Sequence, residues 1–130
     1  MSEIGFGCNQ YQLAFYVEHP PTYSDFAFPQ QLTPLPTGAI YEIGQRCGNG
    51  WRKQFNVYAK FIHSLSEQVF PKHEHIKSWQ AFRDNYLLQQ GSHTALLFSP
   101  PIFNRDNVIH IIAGRGYAKK VVNEQQIELT

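Results

Sequence analysis

The stretch Gly114-Arg115-Gly116 lies where a buried strand passes into a short helix, and a phosphate could be held there. Backbone N–H groups at a helix N-terminus lack partners within the helix, and an arginine beside them adds a cationic fork. The full fingerprints are missing: there is no G-x-x-x-x-G-K-[ST], and a dinucleotide-binding turn needs a small residue where Lys119 stands. The alternative is a tight turn in which glycine only supplies backbone angles that other residues resist. The sequence favours the turn and leaves anion binding open.

Three polar residues follow the ends of two other predicted strands. Glu18 and His19 follow the first strand, and Ser99 follows the second. If the central strands are parallel, these residues meet the glycine turn at one edge of the sheet, where open α/β sheets bind ligands. Glu18 or His19 would then serve as a base, Ser99 as a hydroxyl donor and Arg115 as an anion clamp.

Two observations weigh against a catalytic role for these residues. The pairs Pro20-Pro21 and Pro100-Pro101 are a sufficient reason for both strands to stop. Ser99 also lacks the G-x-S-x-G elbow that presents a hydrolase nucleophile. Whether the protein is an enzyme therefore stays open at the level of the sequence.

The tripeptide Trp51-Arg52-Lys53 opens the longest predicted helix. An aromatic ring beside two cations can stack a base and hold a phosphate, although Trp51 also begins the apolar stripe of the helix. Cations are unfavourable at a helix N-terminus, which indicates that an anion or a carboxylate such as Glu42 lies nearby. Arg52 and Lys53 therefore join Gly114, Arg115 and Gly116 as candidate anion-binding residues.

The histidine pair of His73-Glu74-His75 suggests a metal site only at first sight. A closed site needs a third and a fourth ligand, and none follows at a familiar spacing. We therefore expect neither a metal nor a cofactor.

Composition and charge limit the classes of partner that the protein is expected to bind. Eleven lysines and arginines stand against ten acidic residues, with no sustained basic block, so we expect no nucleic-acid partner. Only 16% of the residues are charged and 15% are aromatic, a balance that predicts apolar surface covered by a second copy of the chain. No apolar run is long enough for a bilayer, the first ten residues lack an apolar signal core, and the two cysteines form no C-x-x-C pair. We expect a cytoplasmic protein with no membrane contact.

The predicted elements form a single α/β domain. Strands are expected over 11–17, 94–98 and 108–113, helices over 37–47, 51–66, 76–89 and 116–122, and an extra edge strand in the tail 125–130. This order predicts a small, mainly three-stranded central sheet with helices on both faces. The link between the second and third strands is short for a parallel crossover, so the relative direction of these strands is left open.

One segment interrupts the pattern of strands and helices. Residues 20–36 carry five of the eight prolines, which predicts an extended arm on the surface of the domain. Phe26, Phe28, Leu32 and Leu35 would attach it.

Two functions from different classes follow. The favoured one is a non-catalytic domain that acts through protein contacts or self-association, as a homodimer. The alternative is a domain that binds a small phosphate-containing ligand or a nucleotide, with its site at the strand ends near Arg115.

Overall fold

The computed structural model describes residues 3–21, 30–65, 70, 76–103 and 107–125 of the chain. Its elements are β1 (Gly5–Gly7), β2 (Leu13–Tyr16), β3 (Leu32–Thr33), α1 (Ala39–Cys47), α2 (Asn49–Ser64), α3 (Trp79–Asn85), β4 (Thr94–Leu97), β5 (Ile109–Ile112) and α4 (Arg115–Gln125). The α/β class is confirmed. The sheet of the described residues has five strands, so the prediction of a mainly three-stranded sheet was too small.

The strands lie in the order β3-β1-β4-β2-β5. The strand β2 pairs in parallel with both of its neighbours, β4 and β5, whereas β1 pairs antiparallel with β4 and parallel with β3. The direction that the sequence left open is therefore parallel. Although β4 and β5 run the same way, β2 separates them, and the short link between them carries the chain across β2.

The two strands that the sequence analysis missed are short and atypical. The strand β1 is Gly-Phe-Gly, and glycine is depleted in strands. The strand β3 lies inside the proline-rich arm, where Pro34 follows it directly. Proline is tolerated there because β3 is the outer strand of the described sheet on that side. Phe26, Phe28 and the tail 126–130 lie outside the described residues.

Alternation along β2 explains why helices cover both faces. Leu13 and Phe15 contribute to the core under α1, α2 and α3, whereas Ala14 and Tyr16 contribute to the second core under α4. All four are buried, as is expected of a strand that lies between two layers. The prediction of helices on both faces is confirmed.

The long helix α2 carries the predicted apolar stripe. Phe55, Tyr58 and Ile62 are buried, and Trp51 and Leu65 pack half-buried against the same core. Each step of three or four residues is about one helical turn, so side chains at this spacing lie along one face of the helix.

The bounds of all four helices differ from the predicted ones, and local structure gives the reason for α3 and α1. The helix α3 is confined to seven residues, and the Ser78 hydroxyl caps it by accepting a hydrogen bond from the Ala81 N–H at 3.1 Å. The helix α1 begins after Gly38, whose φ of 91° leaves Thr37 outside the helix. In the described part of the chain, no helix has both the length and the apolar character needed to cross a membrane.

Candidate functional site

A pocket of about 660 Å³ lies at the carboxyl ends of β2 and β5. Its walls come from three places: Val17, Glu18 and His19 after β2; Ala113, Gly114, Gly116 and Tyr117 after β5; and Lys53, Gln54, Val57 and Tyr58 on α2. Because β2 and β5 are parallel neighbours, their carboxyl ends meet at one edge of the sheet. This edge is where open α/β sheets commonly bind ligands.

Two tyrosines form much of the solid wall of this pocket. The Tyr58 ring stacks on Phe15 at a centroid distance of 4.0 Å, and its hydroxyl donates to Gln54 Oε1 at 2.9 Å. Burial raises the pKa of Tyr58. Burial also raises the pKa of Tyr117, and the Glu18 and Glu124 carboxylates raise it further. Both phenols therefore stay protonated at neutral pH.

Three further side chains with ionisable groups line the pocket: Lys53, Glu18 and His19. The Glu18 carboxylate lies 3.4 Å from Lys120 Nζ on α4 and 3.7 Å from His19 Nε2. The side chains of Glu18, Lys120 and His19 are 39–87% exposed, so these contacts hold them weakly. Lys53, on the opposite wall, makes neither an ion pair nor a hydrogen bond with any described residue. No described residue therefore neutralises its charge.

Of the two glycines around Arg115, only Gly114 has a backbone conformation that favours glycine. Gly114 has a φ of 96°, in the left-handed region, and its carbonyl accepts the first hydrogen bond of α4 from the Ala118 N–H at 3.0 Å. Gly116 has no positive φ, and a Cβ added to it would meet no atom within 4 Å. The turn therefore explains Gly114 but not Gly116. Arg115 begins α4, and its side chain lies outside the described atoms.

Ser99 does not line the pocket, unlike the residues predicted after β2 and β5: Glu18, His19, Gly114 and Gly116. Its hydroxyl accepts a hydrogen bond from the Ile4 backbone N–H at 3.1 Å, which ties the start of β1 to the end of β4. The order β4-β2-β5 gives the reason: Ser99 follows β4, on the far side of β2 from the glycine turn.

Arg52 and Lys53 point into different cavities. Lys53 lines the pocket at the sheet edge, whereas Arg52 lines a separate cleft next to α1 and α3. Successive helix positions differ by about 100°, so adjacent side chains leave α2 in different directions. Glu42, the carboxylate suggested by the sequence, pairs with Arg46 at 3.0 Å within α1 and forms no ion pair with Arg52 or Lys53.

The sequence analysis did not name Tyr58 or Tyr117 as candidate site residues. For Tyr58 a usable signal was present, because a tyrosine within the apolar stripe of a helix needs a polar partner for its hydroxyl. The proximity of Lys120 to Glu18 depends on how α4 lies against the sheet.

Metal ligands do not cluster in the described residues. No three or more His, Cys, Asp or Glu side chains there are arranged to hold an ion. His73 and His75 lie outside the described residues.

A family model described as a family of unknown function, DUF6942, matches residues 4–130. The chain belongs to the DUF6942 family. Neither a curated protein nor a solved structure matches this chain. The strands β2 and β5 and the helices α2 and α4 all lie within the matched range, so the whole pocket is built from the DUF6942 segment.

Proposed function

We propose that this protein binds a small ligand through a phosphate or a similar compact anion in the pocket between α2 and the start of α4. Gly116 carries the proposal. It lines the pocket within the first turn of a helix, where neither backbone angle nor packing requires glycine. Without a Cβ, an anion can approach the backbone N–H groups of that turn closely, which is the use of glycine in phosphate-binding turns.

The charges around the pocket support an anionic group. Lys53 faces the pocket from α2, and Lys120, which is on α4, lies beside Glu18. The N-terminal end of α4 adds the positive end of the helix dipole. Lys53 and this dipole act from opposite walls on the space between them.

The size and walls of the pocket favour a ligand with an organic part. Its volume of about 660 Å³ falls within the range of roughly 300–1,000 Å³ of small-molecule sites. Val57, Tyr58 and Tyr117 offer apolar and aromatic surface next to the charged groups. A phosphate on an apolar or ring-containing body matches both features.

We propose binding rather than catalysis, on the basis of the two candidate bases. The side chains of Glu18 and His19 are 39% and 87% exposed, and Glu18 lies beside Lys120. A general base must be held within hydrogen-bond reach of its proton, and such exposed side chains are held weakly.

Gly116→Ala is expected to raise stability and weaken anion binding at once. Alanine in place of glycine within a helix stabilises by about 0.5–1 kcal/mol, but its Cβ would stand where the anion approaches. Denaturant titration without anion measures the first effect, and melting temperature against phosphate concentration measures the second. For the unaltered chain, a hundredfold excess of phosphate over its dissociation constant adds about 2.7 kcal/mol.

Gly50→Ala is the matched control for this experiment. Gly50 lies in the first turn of α2, a Cβ there would also meet no atom within 4 Å, and it does not line the pocket. It should stabilise similarly and leave the phosphate response unchanged. Lys53→Gln and Arg115→Ala should reduce that response. Parallel melting curves for the unaltered chain, Gly116→Ala, Lys53→Gln and Arg115→Ala would refute the proposal.

A second proposed function, contact with another copy of the chain, is favoured by an exposed apolar face of α2 that begins at the pocket wall, where Val57 lies. Val57 and Phe61 are 60% and 41% exposed, and their spacing of four residues places them side by side on the helix. Large apolar side chains grouped in this way commonly mark an interface.

Self-association through this face is expected to depend on Phe61. In sedimentation velocity at high micromolar concentration, the unaltered chain should behave as a dimer and Phe61→Asp as a monomer, because the charge would be buried on association. Tyr41→Ser serves as the control, since Tyr41 is 69% exposed but lies on α1. A monomer for the unaltered chain would rule this function out.

A further inference from the structure

A second cavity, a cleft of about 320 Å³, lies between α1, α2 and α3. Two arginines, Arg52 of α2 and Arg83 of α3, line it together with Asn56 and Asp84. The ring of Tyr41, which is 69% exposed, gives it aromatic surface, and the fully buried Phe55 lies behind that wall. The cleft thus combines two guanidinium groups with aromatic surface.

Arg83 is fixed in place by the protein itself. Its Nη1 donates to Asn56 Oδ1 at 2.7 Å, and its Nε donates to Asp84 Oδ1 at 2.8 Å. Its guanidinium carbon also lies 5.3 Å from the centre of the Trp79 ring. Asp84 neutralises the charge of Arg83, but a guanidinium has five N–H groups and not all of them are used here.

Arg52, in contrast, makes neither a hydrogen bond nor an ion pair with any residue that the structure describes. The stem of its side chain lies against α1, where a Cβ added to Gly44 would be 3.3 Å from Arg52 Cβ. Glycine in a helix interior is unfavourable, so its presence here is explained by the close approach of α1 and α2. That approach holds the stem of Arg52 beside the cleft while leaving its charge uncompensated.

We infer that this cleft binds a small organic acid whose carboxylate is held by Arg52 and whose apolar or aromatic part lies against the exposed ring of Tyr41. A planar guanidinium fork matches a carboxylate with two parallel hydrogen bonds, which an ammonium cannot reproduce. The free charge at the rim and the aromatic surface within the cleft then serve the two ends of one ligand. This site is separate from the pocket at the sheet edge and does not depend on the function proposed for that pocket.

The test is a titration of the full chain with benzoate, followed by the ¹⁵N–¹H NMR shifts of the backbone amides. Benzoate should shift amides of α1, α2 and α3 around the cleft in a saturable way, with a dissociation constant of about 1–10 mM for a fragment of this size. Benzamide, which has the same ring without the charge, should produce no saturable shift.

Arg52→Gln should weaken benzoate binding about tenfold or more, because it removes a charge-assisted hydrogen bond. Arg52→Lys keeps the positive charge but not the planar guanidinium, so its affinity for benzoate should lie between that of the unaltered chain and that of Arg52→Gln. The matched control is Lys53→Gln, which alters the neighbouring residue and the other pocket; it should leave benzoate binding unchanged while reducing the phosphate response.

Three results would overturn the inference: benzoate shifts that lie elsewhere, benzoate binding that survives in Arg52→Gln, and no saturable shift in the unaltered chain. Failure here and failure of the phosphate pocket are distinguishable, because one depends on Arg52 and benzoate and the other on Lys53 and phosphate.

Discussion

Phe55→Ala is expected to lower the free energy of unfolding by about 3–5 kcal/mol. The Phe55 side chain is fully buried, and its ring lies 5.6 Å from Trp51 and 6.4 Å from Tyr58, centroid to centroid. Removing the ring takes apolar surface out of the core and leaves a cavity that three helices and the sheet cannot close without moving. Since small domains have total stabilities of about 5–15 kcal/mol, this single change should leave the fold only marginally stable.

Denaturant titration measures this loss, and a shift of the midpoint at constant slope identifies it as a change in stability. Val57→Ala, on the same helix two positions later, is the control. Val57 is 60% exposed, so this substitution should change the free energy of unfolding by no more than about 0.5 kcal/mol. Equal losses in the two variants would contradict the burial of the Phe55 face of α2.

Gly5→Ala is also expected to have a large effect, lowering the free energy of unfolding by about 3 kcal/mol or more. Gly5 pairs with Leu97 across the antiparallel β1–β4 ladder. An added Cβ would overlap the Leu96 carbonyl oxygen and lie 2.9 Å from Leu97 Cα. Both obstacles are backbone atoms of a central strand, so the conflict is relieved only if β1 moves away. The described contacts of β3 within the sheet are with β1, so β3 should separate with it.

Hydrogen exchange tests the location of this effect as well as its size. In Gly5→Ala, the amides of β1 and β3 should lose protection while those of β2 and β5 keep it, because local openings follow cooperative units of structure. Gly50→Ala is again the control, since a Cβ there meets no atom within 4 Å. An unchanged denaturation midpoint for Gly5→Ala would show that β1 does not lie as close to β4 as described.

Local pattern alone was enough to locate the central elements. The strands β2, β4 and β5 are short, mainly apolar segments, and the stripe of α2 repeats at helical spacing, so each of these elements was found from its own residues. The prediction that the strand before Gly114 is buried was wrong: β5 is only half-buried, because it is an outer strand of the described sheet. The strands β1 and β3 have no such pattern. The strand β1 has three residues and β3 has two. They are strands only because of pairing within the sheet: β1 pairs with β4, and β3 pairs with β1.

The candidate site divides in the same way. The sequence places Glu18, His19, Gly114 and Gly116 just after predicted strands, and for parallel strands this predicts that they meet at one edge of the sheet. The sequence does not determine which strands are neighbours. Because β2 lies between β4 and β5, the residues after β2 meet those after β5, whereas Ser99 lies on the far side of β2.

The separation of Arg52 from Lys53 makes the distinction sharpest. The sequence determines that two cations are adjacent near the start of a helix, and helix geometry determines that they point about 100° apart. Only the tertiary structure decides what each one meets: the sheet edge for Lys53, and α1 and α3 for Arg52. Periodicity along a chain reports which side of an element is buried, whereas the neighbours on either side are set by contacts between residues far apart in sequence.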